Sequence, residues 1–174
     1  FPTRRSSDLA YGDAVNIDSL LAILRSIKDS HEYVESIYLY TDGAARYFSS
    51  DKGIHTIDES TDSSWLDVYR EIAKDSSSYI APREISLGAD QVVPVLSIYK
   101  RLLLQKGCIV VNIDVAKLEE ILAKQISGHE ETVYLVNRDG DVLAEQSAGS
   151  GKNGDREYFA RLKEQYGDGW QEHL

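Results

Sequence analysis

Apolar residues change their spacing several times along this chain, and each change predicts a new element. In residues 16–31, NIDSLLAILRSIKDSH, Ile17, Leu20, Leu21, Leu24 and Ile27 recur at helical spacing, with Arg25 and Lys28 off that stripe. Asn16 or Asp18 is expected to cap the start, and the stripe reads as the end of a longer helix. Residues 34–40, VESIYLY, switch to strand alternation, with Ile37 and Leu39 on one face and Tyr38 and Tyr40 on the other. Asp42-Gly43 turns the chain back through AARYFS, and the following SDKGIHTIDESTD reads as a polar loop. Residues 62–73, DSSWLDVYREIA, predict a short helix with Trp65, Val68, Tyr69, Ile72 and Ala73 on one side and Thr61 or Asp62 as N-cap.

Further along, SYIAPRE predicts a strand ending in a turn at Gly88. VVPVLSIYKRL then places Val93, Val95, Ser97 and Tyr99 on one strand face, with Pro94 near an edge or bulge because it lacks a ladder donor. GCIVVNID is the continuous apolar run of a central strand. Asp114 is expected to cap a helix whose apolar positions are Val115, Leu118, Ile121, Leu122 and Ile126. VYLVNRDGDVLAEQS predicts a second hairpin turning at Asp139-Gly140, and its lead-in matches the earlier IYLYTDGAARYFSS. Two matching hairpins suggest tandem related modules. Residues 156–167, REYFARLKEQYG, predict a last helix with Tyr158, Phe159 and Leu162 on one side.

Composition narrows the class. The 174 residues are 42% hydrophobic and 28% charged, with a net charge of −10, which is globular and a poor match to phosphate backbones or anionic lipid. No run approaches the roughly 20 apolar residues of a membrane span. The chain has no methionine, and FPTRRSSDL at residues 1–9 matches the translation of a common sequencing adapter. Residues 1–9 are therefore expected to be adapter-derived, with the natural protein continuing upstream. Cys108, the single cysteine, lies in an apolar run and is expected to be a buried, inert thiol.

The ordered series YVESIYLYTDGAARYFSS, a Trp-containing helix, YIAPRE, VVPVLSIYKRL, GCIVVNIDVAKLEEIL and VYLVNRDGDVLAEQS resembles the double Cache domain of bacterial transmembrane receptors. The resemblance covers residues 16–174. It implies an α+β fold: two tandem PAS-like (Cache) modules of antiparallel sheet with flanking helices and a long N-terminal helix, truncated at both ends. The expected divisions are 10–33 for the end of that helix, 34–128 for the membrane-distal module and 129–174 for part of the membrane-proximal one. It also implies an extracellular ligand-sensing segment of a cell-membrane receptor in a Gram-positive-type bacterium. The parent would be a histidine kinase, a chemoreceptor or a membrane-anchored transcription regulator. Its expected partners are a small polar molecule, a second copy through the N-terminal helix, and the membrane only through flanking helices. No nucleic acid is expected.

If Ile37 and Leu39 pack on the first helix, alternation sends Tyr38 and Tyr40 to the ligand side. Ser97, Tyr99, Asn112 and Cys108 are expected to share it, with Trp65, Tyr69 and Arg83 as a lid. Such aromatics with polar tips and one cation suit a small polar or anionic ligand. Family members that bind amino acids carry an Arg, one residue, then Trp-Tyr. Here Ser63-Ser64-Trp65-Leu66 stands instead, which argues against an α-amino acid and leaves a sugar, an organic acid or no ligand. No catalytic constellation is evident. His31, His55, His129 and His173 are scattered, so no metal or other cofactor is expected. GSGKNG fails the phosphate-loop pattern at Gln146 and Asn153. The alternatives are a cytoplasmic PAS-like regulatory or dimerisation domain without a ligand, and an enzyme completed by segments outside this chain.

Overall fold

A computed structural model describes residues 6–72, 78–86, 91–102, 106–126, 132–137, 141–147 and 154–167. The fold is mixed α+β. Helix α1 (Ser6–Asp29) leads into strands β1 (Val34–Thr41), β2 (Arg46–Ser49) and β3 (Gly53–Thr56), and a 3-10 turn (Ile57–Glu59) precedes helix α2 (Ser64–Glu71). Strands β4 (Ser78–Ser86), β5 (Val92–Arg101) and β6 (Gly107–Asp114) follow, then helix α3 (Val115–Ala123). A separate two-stranded sheet, β7 (Thr132–Val136) and β8 (Val142–Ser147), and helix α4 (Gly154–Tyr166) complete the described elements. Among the described residues, no helix is long and apolar enough to cross a membrane.

The first six strands form one antiparallel sheet in the order β3-β2-β1-β6-β5-β4. The apolar run GCIVVNID therefore takes a central place, with β1 on one side and β5 on the other. Alternation along β1 divides the two faces as expected. Ile37 and Leu39 pack with Leu24 of α1, Phe48, Ile109 and Val111, while Tyr38 and Tyr40 enter a separate cluster on the opposite face. Polar ties reinforce the α1 side: Lys28 pairs with Asp51 at 2.6 Å, and Arg25 Nε donates to the Ser50 carbonyl at 3.3 Å.

Several local expectations give way to tertiary context. Helix α1 begins at Ser6, so Asn16 and Asp18 lie inside it rather than capping it. Its apolar residues divide: Leu21 and Leu24 are buried, whereas Ile23 and Ile27 are 56% and 47% exposed. The segment read as a polar loop contains β3, a short edge strand pairing Tyr47 with His55 and Phe48 with Ile54. The β1–β2 connection runs through residues 42–45, longer than a two-residue turn, with Gly43 at φ +77°. Pro94 sits where β5 has run past β6: it pairs with Glu84 of β4, and the β5–β6 ladder starts at Val95.

Gly107 has a clear steric reason. At φ +148°, a Cβ there would lie 2.1 Å from the Tyr40 carbonyl oxygen and 2.9 Å from Thr41 Cα. Only glycine lets β6 start this close to the end of β1. The turn at Gly88, Ala73, the Asp139-Gly140 turn and most of GSGKNG lie outside the described residues.

At the end of β6, Asp114 caps α3 as expected, its carboxylate accepting from the amides of Ala116 and Lys117 at 2.9 and 3.3 Å. Helix α3 touches β5 and β6 as well as β7 and β8. Against the two-stranded sheet, Phe159 and Leu162 of α4 are buried with Tyr134, Val136 and Val142. Tyr158, expected on the same side, is 45% exposed.

Candidate functional site

The sheet face opposite α1 brings together every residue expected to face a ligand. Tyr38, Tyr40, Trp65, Tyr69, Tyr99 and Cys108 belong to one buried cluster, joined by Tyr47, Leu66, Ile72, Ala81 and Val110. Helix α2 lies over this face. Its Trp65 is fully buried, with ring centroids 5.9 Å from Tyr38, 5.4 Å from Tyr40 and 5.2 Å from Tyr47. Leu66, off the stripe read from the sequence, is buried too, whereas Val68 is only half-buried.

Beside the aromatics runs a buried polar chain. Ser36, Asn112 and Ser97 are direct cross-strand neighbours on β1, β6 and β5. Asn112 Nδ2 donates to Ser36 Oγ at 2.9 Å, and Ser97 Oγ donates to Asn112 Oδ1 at 2.6 Å. Arg83 extends the chain from β4, its Nε donating to Ser97 Oγ at 2.9 Å. Its fork meets the Asp62 carboxylate bidentately, Nη1 to Oδ1 at 3.1 Å and Nη2 to Oδ2 at 3.0 Å. Tyr38 also donates to Asp62 Oδ2 at 3.0 Å.

This arrangement corrects two expectations. Arg83 belongs to the sheet and not to a lid, because its position on β4 turns it inward beside Ser97. Asp62 does not cap α2. Ser63 holds the N-cap position without a side-chain cap bond, and Asp62 turns inward to Arg83 instead. No local pattern identifies that pairing, since it joins positions brought together only by the sheet register.

Among the described residues, two aromatic donors on this face lack acceptors. Trp65 Nε1 and Tyr99 OH are buried and make no hydrogen bond. An unpaired buried donor costs about 1–3 kcal/mol, so both are open to an acceptor-bearing ligand. The adjoining seam, lined by Tyr69, Ile72, Tyr79, Tyr99, Arg101 and Cys108 among others, leaves no room for a water molecule. Tyr99→Phe is therefore expected to raise the unfolding free energy by roughly 1 kcal/mol, and Tyr38→Phe, which removes a bond to a carboxylate, to lower it by about 1–3 kcal/mol. Urea denaturation of the two variants checks the opposite signs.

Burial also sets the titration of this face. It pushes the Cys108 thiol from 9.0 up to about 12 and, with the Asp42 hydrogen bond, the Tyr69 hydroxyl from 10.0 up to about 12. Tyr38 and Tyr99 are raised as well, chiefly by burial. Because folding raises these values, their contribution to stability is complete below the unfolded pKa and is lost as pH climbs to the folded one. The urea midpoint is expected to hold up to pH 9 and fall between pH 9 and about 12. Cys108→Ala should delay the onset to about pH 10, where the tyrosines begin. In the native protein at neutral pH, Cys108 should resist thiol reagents.

A more open region adjoins the α2 end of this face. A cleft of about 240 Å³ is lined by Tyr40, Asp42, Leu66, Tyr69, Arg70 and Arg101. Asp42, assigned from sequence only to its turn, accepts from Tyr69 OH at 2.9 Å. Among the described residues, no cluster of His, Cys, Asp and Glu has the geometry to hold a metal ion.

No family model matches the chain, and no curated protein is matched. Among solved structures, the chain is similar to the extracellular domain of vpHK1S-Z8, described as a candidate histidine kinase. That similarity has a TM-score of 0.45 and 16% identity, covering 91% of this chain and 62% of that domain. The chain thus spans less than two thirds of the matched structure's length.

Proposed function

We propose that this chain is the ligand-sensing segment of a transmembrane signalling receptor of the double Cache kind, lying outside the cell membrane and binding a small polar molecule on the face beneath α2. One observation carries the reading: Trp65 Nε1 and Tyr99 OH are buried donors without acceptors on that face. Their neighbours suit the purpose, since a ligand entering beneath α2 meets aromatic walls and a fixed polar chain. The opposite face rests on α1 through Leu24, Ile37 and Leu39, so a shift of the sheet reaches the helix directly. In this reading α1 carries the displacement toward the membrane, and the ligand acts by its differential affinity for two sheet–helix arrangements. Ile23 and Ile27, exposed one turn apart on α1, support pairing with a second copy, which sedimentation of the wild type and Ile23→Lys tests.

The test of binding is thermal unfolding of the full chain against a panel of sugars, organic acids and amino acids. At least one compound should raise the midpoint, and Trp65→Phe and Tyr99→Phe should abolish that rise while the unliganded protein stays folded. A midpoint unmoved by every compound favours the second reading, a cytoplasmic PAS-like regulatory or dimerisation domain. The closed seam beside Tyr99 is the observation in its favour, because there the aromatic face fills its own space.

A further inference from the structure

The cleft at the end of α2 contains an arginine that makes no direct ion pair among the described residues and reaches Asp42 only through the Tyr69 hydroxyl. Arg101 enters it from the last position of β5. Its guanidinium lies 5.0 Å over the Tyr69 ring, donates to Tyr69 OH at 3.4 Å and to the Ile72 carbonyl at 3.1 Å, and leaves Nε buried with no hydrogen bond. Those two contacts occupy two of five N–H donors. Among the described residues, no carboxylate forms an ion pair with Arg101. Its neighbour Arg70 forms a solvent-exposed i,i+3 pair with Asp67. The cleft thus holds Arg101, with open N–H donors, beside Asp42, while Arg70 at the rim is already paired with Asp67. The open donors of the Arg101 fork are what an anion entering the cleft would meet.

We propose that this cleft is the recognition site for a small monocarboxylic acid, whose carboxylate docks on Arg101 with Arg70 at the rim. This assignment rests on the ligand-sensing reading above and names its ligand class. The planar fork of arginine matches a carboxylate, which supplies acceptors for its open donors. Tyr40, Leu66 and the Tyr69 ring offer apolar surface for a short carbon chain. The 240 Å³ cleft falls below the roughly 300–1,000 Å³ of sites for drug-sized ligands. Asp42 at the same cleft repels a second carboxylate, so one negative charge is preferred over two.

Isothermal titration of the full chain with propionate, L-lactate, succinate and inorganic phosphate tests the assignment. Propionate or L-lactate should bind saturably and more tightly than succinate or phosphate. Arg101→Gln should weaken that binding at least about tenfold. Should Arg101→Gln fail to fold, Arg101→Lys retains the charge without the fork and should weaken binding in the same direction. In the wild type, the Arg101 Nε–H resonance should shift on titration. The proposal is overturned if neither monocarboxylate binds saturably, if phosphate or succinate binds as tightly, or if the folded Arg101 variant binds as the wild type does. A ligand whose affinity depends on Trp65 and Tyr99 but not on Arg101 removes this assignment and leaves the sensor reading standing.

Discussion

Alanine in place of Arg83 is expected to lower the unfolding free energy by about 3–5 kcal/mol. The loss comes less from the attraction removed than from what stays behind. Asp62 is buried, and without Arg83 its carboxylate retains, among the described residues, Tyr38 OH and Ser64 Oγ as side-chain donors. Ser97 Oγ loses the Nε donor at the same time, although its bond to Asn112 survives. Asp62→Ala should be similarly costly, because it strands the guanidinium. The double variant Arg83→Met/Asp62→Leu should recover much of either loss, since apolar side chains of similar volume often replace a buried ion pair without penalty. A double-mutant cycle from urea midpoints measures this coupling. If the double variant is as unstable as the sum of the singles, the pair is not acting as one unit. If Arg83→Ala costs under 1 kcal/mol, the carboxylate is finding water, and the site is more open than the structure shows.

The same pair marks the limit of what the sequence could tell. The faces of β1 were legible, because strand period alone separates Ile37 and Leu39 from Tyr38 and Tyr40. The central place of GCIVVNID and the Asp114 cap were legible for similarly local reasons. Asp62 was not: an Asp just before an amphipathic helix normally caps it, and only the register of four strands brings Arg83 close enough to claim it. Arg83 was misplaced for the complementary reason: its strand was legible, but which strand it pairs with, and so which way it faces, was not. Proline on β4 is tolerated because β4 is an edge strand. Strand β3 escaped notice because four residues at a sheet edge have too little alternation to distinguish them from a polar loop. Asp42 and Arg101 stand far apart in sequence, and nothing local associates them with a common cleft.

Trp65 separates packing from recognition most sharply. Trp65→Ala is expected to cost about 3–5 kcal/mol, because it empties a fully buried site and removes ring contacts with Tyr38, Tyr40 and Tyr47. Each aromatic contact adds about 0.5–1.5 kcal/mol beyond area burial, and α2 has few other anchors beside Leu66 and Tyr69. Trp65→Phe should behave differently. The lost volume is destabilising, but the substitution also removes an indole N–H that is buried without an acceptor, a defect costing about 1–3 kcal/mol. The two effects oppose each other, and the phenylalanine variant should lie within about 1 kcal/mol of wild type by chemical denaturation. A residue serving only to pack would show a graded loss from tryptophan through phenylalanine to alanine. An N–H held ready for a ligand instead leaves Trp65→Phe stable and binding-deficient, and stability measured beside ligand titration distinguishes the two.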